Sequence, residues 1–488
     1  MTELIRMREM KDEYTLSPGR GTFLRRSLLV LASRIFLVVL CILADFAIGD
    51  HEPDPSVRRF EGRDDFSRFA RRWDSAQFLE IAESGYEEQA QYAFFPLFPI
   101  LVRHFCRVLT GGRVDVAWCG VILNAIASVF AAHALAELTV LVYYSSSKKD
   151  KENSAVVKKT KNQELLLRDK IFFLVAFNPA SIFFLVNYSE SLFACLFFTA
   201  LWQLERGSWV LAAVFFHLAS WTRANGILAI IIVVLHAFTE AVRILFHDKK
   251  GVVWPALTRL FCSYTITIVA IVTPYAAVQW TAYERYCAVD ITPRSSTTSS
   301  AATSTSSRTF ETPPPWCDWQ TPSVYAYVQQ KVWNNGFLAY WQFRQIPNFL
   351  LASPLLWVLG THYSRLWADF RMAAVGGESS RGTKTSSTKL SLLSAQVDRL
   401  LAQKETIHIL RRAEYDIFML IFVLFIVTTA HVQIVTRAAF ASCPAIYWIL
   451  LHFDEKNHNI FGFSATWFWT VLYIVLGVVL HSNFLPWT

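Results

Sequence analysis

Charge is scarce in this chain. Only 17% of its 488 residues are Asp, Glu, Lys or Arg, and 53% are apolar; soluble domains carry roughly 25% charged residues. By length alone the chain has room for about three soluble domains, and this shortage of charge argues against them. The 8 Cys form no CxxC pair and no Cys/His ligand spacing, so a sequence-encoded metal site has no support. There is no Walker motif, no GxGxxG and no Ser/His/Asp order, which leaves soluble nucleotide chemistry without a basis. Lys and Arg outnumber Asp and Glu by 46 to 38, giving a formal charge of +8. They fall in separate loops rather than on one patch, which speaks against nucleic-acid binding.

What the chain does have is long apolar runs. A mean hydropathy of +0.32 with 39 Phe and 17 Trp describes an all-α polytopic membrane protein, its aromatics suited to lipid faces and interfacial belts. Arg20, Arg25 and Arg26 precede the run Ser27 to Ile48, which is long enough to span a hydrocarbon core and reads as a signal anchor with a cytosolic N-terminus. Residues 49–115 then form a first large loop across the membrane. Val116 to Tyr144 returns to a Lys-rich cytosolic loop at 145–169, expected to be disordered. Ile171 to Trp202 is broken at Asn187-Tyr188-Ser189-Glu190, and Trp209 to His236 at WTRANG, so each reads as two short spans turning on the far side. Leu260 to Trp280 crosses again, and residues 281–345 form a second far-side loop with a low-complexity Ser/Thr insert. Ile346 to Leu359 returns the chain to a basic loop at 365–412. Further spans are Tyr415 to Ala430, Ala438 to Leu451 and Ala465 to Leu480, for a total of about 11 transmembrane helices in a single membrane domain covering 1–488.

The stretch Arg71 to Pro99 is the candidate for chemistry. Asp74 follows Trp73 and precedes an amphipathic helix, Ser75 to Glu83, with Phe78, Leu79 and Ala82 on one side. At that position Asp74 is either a helix N-cap, which stabilises by about 1 kcal/mol, or a general base held beside an aromatic ring. Glu80, Glu83, Glu87 and Glu88 read as solvated charges. In the polar breaks, Arg223 with Asn225, and His431, Gln433 and Arg437, are candidate phosphate donors, since an Arg at membrane depth is costly without a partner and its fork fits phosphate oxygens. Snorkelling or an internal salt bridge is the alternative for each. Asp318, in PWCDW, is a second acid beside Trp.

These blocks carry a resemblance. WDSAQFLEIAESGY and AFFPLFP, then FNPASIFFLVNYSESLF, WTRANG, PWCDWQTPSVYAYVQQKVWNNGFLAYW, QIPNFLLASP, HVQIVTR and NFLPWT, in that order from about residue 72 to the C-terminus, resemble the PIG-V family. The resemblance implies a GT-C type glycosyltransferase of the endoplasmic reticulum with lumenal catalytic loops. Its implied reaction transfers the second mannose, in α-1,6 linkage and with inversion, from dolichyl phosphate mannose to the glycosylphosphatidylinositol (GPI) anchor precursor. It also implies an acid in the first lumenal loop, the description that Asp74 meets. The partners it implies are the lipid-linked donor, the GPI-precursor acceptor and the endoplasmic-reticulum membrane. No cofactor or metal is expected; an accessory membrane subunit is left open. A lumenal disulfide between Cys287 and Cys317 is expected to close the Ser/Thr insert, and Asn187-Tyr188-Ser189 is formally a glycosylation sequon. A polytopic lipid or sugar transporter or flippase is the alternative function, because polar breaks in paired apolar segments also mark substrate pathways.

Overall fold

A computed structural model describes residues 20–49, 65–144, 154–247, 253–288, 313–376, 404–456, 459–460 and 463–485. The Ser/Thr insert and the middle of the 365–412 loop lie outside them. Helices dominate because the apolar runs are long and every backbone polar group at membrane depth must be satisfied within its own segment. The only strands among the described residues are Asn459–Ile460 and Phe463–Ser464, an antiparallel pair with Asn459 opposite Ser464.

Helix α1 (Arg20–Ala47) holds the first apolar run. A 3-10 turn, Asp65–Arg71, leads to α2 (Asp74–Ser84), α3 (Leu97–Thr110) and α4 (Val116–Tyr144). Then come α5 (Ser154–Ala176), α6 (Glu190–Glu205), α7 (Trp209–Thr222), α8 (Ala229–His247) and α9 (Val253–Tyr286). The last part holds α10 (Ile346–Gly376), α11 (Lys404–Thr429), α12 (Val435–Ser442), α13 (Pro444–Lys456) and α14 (Ala465–Ser482). Among the described residues, four helices are long and apolar enough to cross a membrane, carried by α1, α4, α8 and α9, with α7 and α14 apolar but shorter. Side chains such as Ile35, Phe36, Leu43, Phe261 and Ile266 are exposed on α1 and α9, as lipid-facing spans require.

Several of the expected boundaries move. Helix α5 begins at Ser154, so much of the 145–169 segment is helical rather than disordered loop. The break in the Ile171 to Trp202 run opens at Phe177, ahead of Asn187, and the chain from Asn178 to Ser189 is buried without being helical. Side chains of α4 satisfy it: Asn124 Nδ2 donates to the carbonyls of Val186 at 2.5 Å and Tyr188 at 2.9 Å. The Ala438 to Leu451 stretch is not one straight span, since α12 and α13 meet at Cys443 with a bend of 91°. Helix α10 also runs on to Gly376 and α11 starts at Lys404, so both ends of the 365–412 loop are helical.

One large apolar core joins α1, α4, α6, α8 and α11 to α14. A smaller one packs Phe78 and Ile81 of α2 on Phe98 and Val102 of α3, and a third seals Tyr92 and Phe95 against Tyr286, Trp316 and Val324. These two satellites fix the first and second large loops to the same end of the bundle. A groove of about 730 Å³ between α1, α5, α13 and α14, with Arg25 and Arg26 among its lining residues, lies far from that end. It is some 30 Å away along α1 by helix rise.

Ion pairs pin the loop that carries Trp73 and Asp74. Asp45 of α1 is buried and takes Arg72 at 2.7 Å and Arg68 at 3.1 Å, while Arg71 pairs with Asp115. Arginines in this loop run against a simple positive-inside count; these three serve as internal anchors. Asn187 adds another, donating from Nδ2 to the carbonyls of Ala70 at 2.8 Å and Ala117 at 3.1 Å. A Cβ at Gly120 would land on the Asn187 side chain, so that approach needs glycine. Because Asn187 is fully buried and its amide nitrogen is engaged, the sequon at this position is expected to stay unmodified. Treatment with an N-glycosidase is expected to give the same gel mobility shift, or none, for the wild-type chain and Asn187→Gln.

Candidate active site

Asp74 is the first helical residue of α2, and Trp73 occupies the cap position. The cap position thus falls to Trp73 rather than to Asp74. The carboxylate instead turns to Arg437, whose Nη1 and Nη2 both donate to Asp74 Oδ2 at 3.1 Å. Its position in the first turn places the negative charge at the positive end of the helix dipole. The Asp74 backbone N–H donates to the Tyr188 hydroxyl at 3.3 Å.

Trp73 is held at φ 56°, ψ −134°, a left-handed conformation that side chains other than glycine adopt at a cost of about 1–3 kcal/mol. Its surroundings hold it there. The indole lies 6.1 Å from the Phe484 ring, and Arg72 stacks over that same ring at 4.2 Å. Part of the terminal NFLPWT motif thus packs beneath the Trp-Asp pair.

Arg437 lies on α12 with only 10% of its side chain exposed, between the rings of Tyr188 at 5.2 Å and Phe183 at 5.3 Å. A third partner is Glu190, the first residue of α6 and fully buried. Glu190 Oε1 is 3.7 Å from Arg437 Nε and 2.6 Å from Arg223 Nη1. Arg223 sits in extended backbone between α7 and the 3-10 turn Ala224–Leu228. It also donates to Ser189 Oγ at 3.2 Å and Asn225 Oδ1 at 3.3 Å, and Asn225 reaches Ser442 Oγ of α12 at 3.4 Å. Gly226 makes this turn possible, since a Cβ there would meet the Ser220 backbone at 2.6 Å. Asp74, Glu190, Arg223 and Arg437 form a chain of two acids and two cations with no net charge.

His431 lies beside this group rather than in it. Its Nε2–H donates to the Trp333 carbonyl at 2.7 Å and its ring stacks on Tyr340 at 4.4 Å. Burial lowers its proton affinity below the ordinary value, so the ring acts as a neutral donor. Gln433, in the 3-10 turn Val432–Ile434, hydrogen-bonds Tyr340. Both therefore tie the second large loop to the HVQIVTR turn. Asp318 is exposed on the turn Pro315–Asp318 and makes no ion pair with the site arginines, which sets it apart from Asp74.

Glu190 and Tyr188 are the site residues that the sequence reading passed over. The signal was present: an acid within an apolar run is expensive at membrane depth and needs a cation. The disulfide Cys287–Cys317 is formed, with Cα atoms 5.5 Å apart. A second, Cys106–Cys119 at 5.3 Å, joins α3 to α4 and was hidden because both cysteines lie in apolar helices. Both disulfides lie at the Asp74 end of the bundle. The free cysteines Cys41, Cys195 and Cys262 lie in helices, and Cys443 at the bend between α12 and α13.

Among the described residues, one group has metal-ligand spacing: Glu205, His236 and Glu414. It lies at the far end of α6 from Glu190. Within the protein His236 Nδ1 meets Glu414 Oε2 at 2.9 Å, Glu205 accepts from the Tyr415 hydroxyl at 2.9 Å, and Arg411 lies 3.6 Å from Glu205.

Apolar, lipid-facing helices with an acid and two arginines gathered at one end define a multi-pass membrane enzyme. The chain belongs to the mannosyltransferase (PIG-V) family, whose model matches residues 64–488, and is accordingly a polytopic glycosyltransferase of the GT-C type. It is 27% identical to GPI alpha-1,6-mannosyltransferase 2 of Mus musculus over 97% of this chain and 99% of that protein. It is 28% identical to the Homo sapiens protein of that name over 85% and 87%, and 25% identical to GPI mannosyltransferase 2 of Drosophila melanogaster over 94% and 98%. Neither the family match nor these relatives support the transporter or flippase alternative.

Proposed function

We propose that this chain transfers the second mannose, in α-1,6 linkage, from dolichyl phosphate mannose to the GPI-anchor precursor at the lumenal face of the endoplasmic reticulum. The observation that carries this reading is the meeting of Asp74 with Arg437 and, through Glu190, Arg223. A carboxylate able to take a proton thus lies beside guanidiniums able to hold a phosphate.

Transfer from a β-linked phosphate to an α product inverts the anomeric carbon, so the acceptor hydroxyl attacks opposite the phosphate in one displacement. Asp74 takes the hydroxyl proton as the new C–O bond forms. The bond from the anomeric carbon to the phosphate oxygen breaks, and its electron pair leaves with dolichyl phosphate. Arg223 and Arg437 stabilise the charge that grows there. The chemistry calls for no cofactor, because the donor already carries a phosphate leaving group. Both substrates are anchored in lipid, which accounts for a catalytic acid fixed at the end of a membrane bundle.

The lumenal orientation, with a cytosolic N-terminus, is supported by the disulfides Cys106–Cys119 and Cys287–Cys317 at the Asp74 end, since the endoplasmic-reticulum lumen permits oxidation. The test is direct. Purified protein in lipid nanodiscs receives dolichyl phosphate mannose and a singly mannosylated GPI precursor, and the lipids are read by mass spectrometry. A dimannosylated product is expected; a precursor left unchanged by active-quality protein overturns the assignment.

A further inference from the structure

The two acids that hold Arg437 are not equivalent. Asp74 has 31% of its side chain exposed and meets Arg437 through Nη1 and Nη2, the outer tips of the guanidinium. Glu190 is sealed from solvent and meets Arg437 from behind, through Nε, while its closer contact goes to Arg223. One partner of Arg437 is thus accessible and replaceable, and the other is buried between two cations. A buried carboxylate that keeps Arg223 within 2.6 Å has no cheaper arrangement available, because an unpaired buried charge costs several kcal/mol.

A difficulty follows for the proposed reaction. A base must be free to turn toward the acceptor hydroxyl, yet both Arg437 hydrogen bonds fall on Asp74 Oδ2, so the carboxylate, although its Oδ1 keeps its lone pairs, is held in one orientation while Arg437 stays there. The outer guanidinium edge is also the fork best suited to phosphate oxygens. Asp74 and a donor phosphate therefore compete for the same N–H groups.

Resting on the function proposed above, we propose that Arg437 exchanges partners: it holds Asp74 until the donor arrives, then turns its Nη groups to the donor phosphate and frees the carboxylate, with Glu190 as the fixed anchor. Charge favours this order. The group of two acids and two arginines is neutral, and a phosphodiester brings one more anion that draws on the same guanidiniums. During transfer the proton moves to Asp74 as the second phosphate charge appears, so the total charge of the site is conserved and Arg437 loses its attraction to the acid as it gains one to the leaving group. The carboxylate is thereby released to turn only when donor is in place. Glu190 is in this scheme a positioning residue, acting through Arg437 and Arg223 rather than on substrate.

The test is a double-mutant cycle on binding of dolichyl phosphate to the full-length protein in nanodiscs, which needs no turnover. If the phosphate must take Arg437 from Asp74, Asp74→Asn tightens dolichyl phosphate binding by about tenfold, a coupling within the range for contacting pairs. In the Arg437→Gln background the same change gives less than about a threefold gain. Equal gains in both backgrounds, or no gain from Asp74→Asn, overturn the exchange; Arg437→Met, which likewise removes the charge, replaces Arg437→Gln if that variant does not fold. For the anchor, Glu190→Gln should lower kcat without weakening dolichyl phosphate binding, because Arg223 is released to the phosphate while Arg437 stays on Asp74. Glu190→Asp should restore part of kcat. A Glu190→Gln variant that loses binding and turnover in step overturns the anchor role. Failure of the wild-type protein to form dimannosylated lipid refutes the function, whereas turnover with no coupling between positions 74 and 437 refutes the exchange alone.

Discussion

Asp74→Asn is expected to lower mannosyl transfer by about 10²–10⁴-fold, the usual contribution of a positioned general base, while leaving the fold intact. The amide fills the same volume, and the hydrogen bonds of the Asp74 carboxylate go to Arg437 rather than to the backbone of α2. Its backbone N–H contact to Tyr188 survives the change. The measurement is a turnover assay beside a thermal unfolding curve on the same preparation. In cells lacking the endogenous activity, Asp74→Asn should fail to restore surface GPI-anchored proteins at normal protein levels. Full restoration would remove Asp74 as the base.

Arg437→Gln carries the second largest effect, a loss of about 10²–10³-fold in rate, the scale for removing one charged or hydrogen-bonding stabiliser of a developing anion. Structure should survive it better than burial alone suggests. Glu190 is sealed, but it keeps Arg223 at 2.6 Å, and Asp74 is exposed enough to be solvated. Arg437→Lys separates charge from shape: a lysine has no planar fork and cannot span Asp74 at two nitrogens while reaching back to Glu190, so most of the loss should persist. Wild-type turnover in Arg437→Lys would show that only a positive charge is needed there.

Much of the scaffold was legible because membrane spans depend on composition. A run such as Val116 to Tyr144 has one solution in a bilayer, and α4 occupies those residues. The WTRANG interruption also appeared where expected, between α7 and α8, because Gly226 and the polar side chains break an otherwise uniform run. Helix α5 did not follow the same rule. Its first half is rich in Lys and polar, and the helix forms nonetheless, a case where composition pointed to disorder and local helix propensity prevailed. The bend between α12 and α13 was also hidden, since the apolar run continues through Cys443 and Pro444 and only the backbone reverses direction.

Of the candidate site, Asp74 could be singled out from its place after Trp73 and before an amphipathic helix, and Arg223 and Arg437 from the cost of a cation at membrane depth. Their roles could not be separated from capping, snorkelling or a structural salt bridge. Asp318 sits beside Trp residues in the same manner as Asp74, yet it is exposed and unpaired with the arginines, so local pattern alone would rank the two acids alike. Glu190 looked like part of a polar turn; what makes it important is the pair of arginines brought to it from α12 and from the break after α7.

The sequence by itself determined that this chain lives in a membrane, where long apolar helices such as α1 and α4 run and which blocks align it with a mannosyltransferase family, because hydropathy and motif order are properties read along one dimension. Only the tertiary structure decided that Arg437 faces Asp74 from 363 residues away, that Glu190 stands between the two arginines, and that Asp318 stands apart. The physical reason is that an ion pair depends on the distance between charges through space, and chain separation leaves that distance unspecified until the helices are packed.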